Sequence, residues 1–145
     1  MGGIKACLLA IRASPDNAKV VENGLVALAK MAETGEKACE EIGKSGLSAA
    51  IDALRDFPDN EAISESALSL LNSLCGLAQN RKDLEELGGI EAIVGTMYVD
   101  NFSFTNPLLI DFLYLNTTHK QYTHLSNTGT NIRTTRKFKA WARLC

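Results

Sequence analysis

One spacing constrains this chain more than anything else in it. Gly3-Ile4 recurs as Gly46-Leu47 and again as Gly89-Ile90, two steps of 43 residues. Other landmarks keep the same offset. Pro15-Asp16-Asn17 returns 43 residues on as Pro58-Asp59-Asn60, Leu28 returns as Leu71, and Met31 as Leu74. Repetition at a period of about 20–50 residues is the mark of stacked repeat architectures, in which each unit buries its apolar face on its neighbour.

Each unit reads as helices. Ile4, Cys7, Leu8 and Ile11 fall at i, i+3, i+4 and i+7 and share one helix face. Leu47, Ile51 and Leu54 repeat that face, as do Ile90, Ile93, Val94 and Met97. A longer helix follows each Pro-Asp-Asn. It carries Val20, Val21, Leu25, Leu28 and Met31 in the first unit and Ile63, Ala67, Leu70, Leu71 and Leu74 in the second. The triplet has a physical role at this junction. Proline cannot continue the first helix, and an Asp or Asn oxygen accepts from the free N–H groups of the next. A third, short helix precedes each glycine, at Lys37–Ile42 and at Arg81–Leu87. Gly43 to Gly46 and Gly88-Gly89 then let the backbone turn. Period-two alternation is absent from residues 1–97, so no sheet is expected there.

These residues carry a family resemblance. The stretch NRKDLEELGGI from Asn80 to Ile90 resembles the segment joining successive armadillo repeats. That segment has an Asn, apolar residues on a short helix, then Gly-Gly-Ile or Gly-Ala-Ile opening the next helix. ALSLLNSLC, from Ala67 to Cys75, resembles the core of the family's third helix. Repeats of that class run about 40–47 residues. The resemblance covers residues 1–97 and implies an all-α fold, a right-handed α-solenoid of three-helix repeats with junctions near Gly3, Gly46 and Gly89. Residues 98–145 form a separate, irregular and partly disordered basic tail in this reading. The chain opens at the second helix of a repeat and holds two full periods plus the start of a third. Solenoids need at least three repeats and polar caps, so a parent protein with more repeats is expected.

The resemblance also implies a function. In armadillo proteins the third helices line a concave groove that holds extended peptides or partner domains. Carried over by position, Val26, Lys30 and Glu33 face that groove in the first unit, and Ser69, Ser73 and Gly76 in the second. The Trp/Asn pairs by which importin-α-like members clamp a peptide are not here. Val26 and Ser69 stand at the Trp positions, and Lys30 and Ser73 at the Asn positions. Asn72 lies one residue off, a turn of about 100° around the helix. The expected role is a non-enzymatic scaffold that binds a protein or peptide, with no cofactor, no metal and no small-molecule substrate.

Charge and composition bound the alternatives. Residues 1–100 carry sixteen acids against nine bases, while residues 101–145 carry six bases against Asp111 alone. An acidic body argues against nucleic acid in the groove, and leaves the tail as the only route to such a partner. Arg133, Arg136, Lys137, Lys139, Arg143 and Trp141 make one reading of that tail, a basic arm; a terminus without a specific role is the other. The hydrophobic share of 46% and charged share of 22% are ordinary for a globular domain. No run approaches the roughly 18–20 apolar residues of a membrane span, and no signal peptide is visible. A myristoylation motif wants Ser or Thr where Ala6 stands. A cytoplasmic placement is expected, with the nucleus as the alternative. Cys7, Cys39, Cys75 and Cys145 form no CxxC pair, and the first three read as small buried apolar residues. The two histidines, His119 and His124, lie in the tail without accompanying carboxylates. No phosphate loop or nucleophile elbow is present.

Overall fold

A computed structural model describes residues 2–96, all within the first of the two units into which the chain divides, Met1–Leu109. The described residues are helical, with no strand among them. The readings of residues 98–145, including the boundary after Met97 and the basic arm, lie outside the described residues. So do the two histidines, His119 and His124.

Helix α1 runs Gly2–Ala13 and buries Ile4 and Ile11. Ser14 and Pro15 end it. Ser14 N–H still donates to Ala10 O at 3.2 Å, but proline offers no donor to carry the ladder on. Helix α2, Ala18–Ala32, then starts on Asn17, whose side-chain oxygen accepts from Lys19 N at 3.1 Å and Val20 N at 3.3 Å. The same device opens α4, Glu61–Leu74, where the Asn60 oxygen accepts from Ile63 N at 3.1 Å. Two Pro-Asp-Asn triplets one period apart thus build the same helix–turn–helix corner.

Between those hairpins lies α3, Glu36–Asp56. It consists of the short helix and the following helix expected from the sequence, which meet at a kink where Gly43 leaves the helical backbone region (φ 37°, ψ −138°). That backbone region is nearly closed to residues with a Cβ, which is why a glycine stands there. The next junction also turns on a positive-φ glycine. Helix α5, Ala78–Glu86, ends before Gly88 (φ 69°), and α6, Gly89–Thr96, begins anew. Helix α5 also starts three residues earlier than the sequence pattern indicates. The chain turns tightly after α4, with Leu77 N–H donating to Leu74 O at 3.3 Å, and Asn80 falls inside the helix.

Packing repeats as the sequence does. Helix α1 packs on α3, α3 on α6, and α2 on α4, so elements one period apart lie against each other. The core between them is aliphatic: Leu25, Leu28, Leu47, Ile51, Leu70 and Leu71 are among its fully buried side chains. Cys39 and Cys75 are buried as expected, but Cys7 is only half-buried. It flanks the Ile4–Ile11 line of α1, as half-buried Leu8 does on the other side, and less of the fold covers the flanks than the line itself. No described helix is long and apolar enough to cross a membrane.

Candidate functional site

Helices α2 and α4 lie side by side and, with the residue that caps α2, hold five of the six residues assigned to a partner face, all but Gly76. Their buried stripes point to the shared core: Val21, Leu25 and Leu28 on α2; Ser64, Leu68 and Leu71 on α4. Val26, Lys30 and Glu33 are on the other side of α2 at i, i+4 and i+7, and all three are exposed. Val26 is 43% exposed, one of the two large apolar side chains open to solvent among the described residues. Lys30 Nζ pairs with Glu33 Oε1 at 3.1 Å. Lys19 pairs with Glu22 at the same spacing and distance, so α2 offers partners self-neutralised charge. Such exposed pairs hold little stability, about 0–1 kcal/mol each, and yield readily to a competing ligand.

The α4 half of the face is different in kind. Ser69 and Ser73 are half-buried, and Ser73 Oγ donates to Ser69 O at 3.2 Å within the helix. Ser73 O accepts a weak bond from Cys39 Sγ at 3.6 Å. Gly76, just past the helix, is exposed. The five positions therefore share two adjacent helices, but the first three stand in solvent and the last two sit partly in the wall.

Two features near this face were not read from the sequence. An open hollow of about 750 Å³ lies over the α3–α4 corner, with Asp56, Asp59, Glu61 and Glu65 in its lining. No group of three or more potential metal ligands is assembled among the described residues. The second is an open cleft of about 580 Å³ lined by Gly3, Ile4, Met31 and the start of α3. The glycine of each repeat junction was the available signal for it.

The thiols are quiet. Burial pushes Cys75 up to about 12, against the lowering effect of Arg81. Burial also raises Cys39, and the Glu36 charge adds to the effect. A thiolate nucleophile is thus disfavoured at both positions at neutral pH. Asn80 is a buried polar side chain with a visible task. Its Nδ2 donates to Leu74 O at 3.0 Å and to Cys39 O at 3.4 Å, tying α5 to the end of α4 and to α3. Arg81 donates to Cys75 O at 2.7 Å and closes the same helix end from outside.

No protein-family model, curated protein or solved structure matches the chain.

Proposed function

We propose that residues 1–97 belong to a right-handed armadillo-type α-solenoid that serves as a non-catalytic scaffold in the cytoplasm or nucleus. Its partner is a protein or peptide held along the concave face by Val26, Lys30, Glu33, Ser69 and Ser73. One observation carries the reading. The 43-residue repeat in sequence is matched by a repeat in packing, α1 on α3, α3 on α6 and α2 on α4. Stacking like on like keeps α2 and α4 in a row of their own. One side of that row makes core and the other is left for a ligand, as in solenoids generally. The half-buried serines and the exposed Val26 suit an extended peptide, whose backbone finds hydroxyls and whose apolar side chains find Val26.

Site-specific photo-crosslinking in the full chain tests this. A benzophenone side chain placed at Val26 should capture a partner, and Lys30→Glu in the same chain should abolish the capture. The same probe at Lys82, exposed on α5, should not. Equal capture from both positions overturns the assignment of the face.

A further inference from the structure

The two Pro-Asp-Asn corners share one backbone and differ in the residue before the proline. Ser14 N–H donates to Ala10 O at 3.2 Å, and Asn17 N–H donates to Ser14 O at 3.2 Å. One period on, Phe57 N–H donates to Ala53 O at 3.0 Å and Asn60 N–H to Phe57 O at 3.1 Å. The same corner thus closes on a phenyl side chain, so the fold asks only for the backbone of this position. The Ser14 hydroxyl makes no hydrogen bond among the described residues. The Ser66 and Ser73 hydroxyls differ, since each donates to a carbonyl one turn back in its own helix.

Sequence and setting single out that idle hydroxyl. Ser14-Pro15 is the chain's only Ser or Thr followed by proline; Pro58 follows Phe57 and Pro107 follows Asn106. Ser14 lies between α1 and α2 and belongs to neither. It is half-buried, while Arg12, Ala13, Pro15, Asp16 and Asn17 around it are exposed. The proline also biases Ser14 toward extended backbone, the form in which a kinase cleft takes its substrate. The surroundings are short of positive charge. Arg12 and Pro15 line a cleft of about 270 Å³ together with Asp52 and Asp56 of α3. Asp16 follows two residues after the serine, and Lys19 is already paired with Glu22.

We propose that Ser14 is a phosphorylation site for a proline-directed serine/threonine kinase, and that the phosphate loosens the α1–α2 corner. In the transfer the Ser14 oxygen attacks the γ-phosphorus of ATP. An O–P bond forms as the bond to the leaving ADP breaks, and the hydroxyl proton passes to the kinase's catalytic base. The phosphate brings a charge of about −1.5 to −2. It then stands at the C-terminal end of α1, where the free helix carbonyls already gather negative charge. Asp16 lies beside it, with Asp52 and Asp56 at the neighbouring cleft and Arg12 as the cation among them. Repulsion therefore outweighs pairing. The proposal needs nothing from the α2–α4 face as a peptide groove.

The native full chain, incubated with ATP and a proline-directed kinase, should take up one phosphoryl group, placed at Ser14 by peptide mass spectrometry. Ser14→Ala should take up none. It should also melt within about 2 °C of wild type, because the hydroxyl it loses has no partner. The phosphorylated chain should melt about 2–6 °C below the unmodified one in dilute buffer. That gap should narrow in about 0.5 M salt, which screens charges near the surface. Any of four results overturns the proposal: no uptake by the native chain, undiminished uptake by Ser14→Ala, a lower-melting Ser14→Ala, or a phosphorylated chain that melts as high as the unmodified one. A gap that salt leaves unchanged overturns the repulsion on which the loosening rests.

Discussion

Leu71 and Asn80 are both almost wholly enclosed, at 0% and 4% exposure, yet only one of them was legible in the sequence. Leu71 was, because its counterpart Leu28 stands at the same register one period earlier and a shared offset on an apolar stripe implies a shared core. Asn80 reads in the sequence as the residue before a helix, a place where its side chain would meet water. Its burial follows from α5 starting earlier, at Ala78, which turns the amide inward onto two carbonyls. Asn80→Ala should therefore cost about 1–3 kcal/mol, because it strips the donor from Leu74 O and Cys39 O without returning them to water. Urea unfolding of the variant reads that loss directly; an unchanged midpoint would mean the amide is not structural. Cys75 gives a pH dependence at the same scale. Its thiol titrates near the ordinary 9.0 when unfolded and at about 12 when folded. Above pH 9 the unfolded chain therefore holds fewer protons than the folded one, and stability falls with rising pH through that window. Below it the contribution is fully present. Cys75→Ala should flatten the alkaline decline measured by denaturant midpoints between about pH 8 and pH 11, whereas a decline of undiminished slope would place its cause elsewhere. Cys39, raised in the same direction, will retain part of the effect.

Helix ends are where residue chemistry becomes architecture, and they explain which boundaries the sequence disclosed. Pro15 and Pro58 forbid continuation, while Asn17 and Asn60 satisfy free N–H groups of the next helix, so both corners could be placed from residue types alone. The glycine-rich junctions were less legible. Glycine permits a turn without specifying one. Gly43 (φ 37°) breaks the helical backbone within α3, and Gly88 (φ 69°) does so between α5 and α6. A Cβ on Gly43 meets no atom within 4 Å, so any cost of substitution there comes from its φ of 37° and not from crowding. Gly43→Ala should lose about 1–3 kcal/mol. Gly46→Ala should also destabilise, but for the opposite reason, since its new methyl lands on Ile42. Shortening that neighbour distinguishes them: Ile42→Ala should relieve part of the penalty of Gly46→Ala and none of the penalty of Gly43→Ala. Additive losses in both pairs, measured as a double-mutant cycle, would contradict this account.

For the whole molecule, the question is whether core and ligand face are segregated as the stacking of α2 on α4 implies. The sequence offset identified equivalent positions, but equivalence is not equal exposure. Val26 and Lys30 stand in solvent while their counterparts Ser69 and Ser73 are half-buried. Three substitutions rank the consequences. Lys30→Glu removes an exposed pair and sets a like charge beside Glu33, so it should cost no more than about 0.5 kcal/mol. Leu71→Ala opens a cavity at a fully enclosed site and should cost about 2–5 kcal/mol. Ser73→Arg belongs between them. The sequence places Ser73 off the apolar stripe, but its hydroxyl is bonded along the helix and its carbonyl receives Cys39 Sγ at 3.6 Å. A guanidinium there must swing outward to stay hydrated, at a cost in local packing of about 1 kcal/mol. If partner capture at Val26 falls equally with Lys30→Glu and Ser73→Arg while only the latter lowers the melting temperature, face and core are separate and meet at Ser73. If Lys30→Glu lowers the melting temperature as far as Leu71→Ala does, α2 has no free side, and the scaffold reading loses its surface.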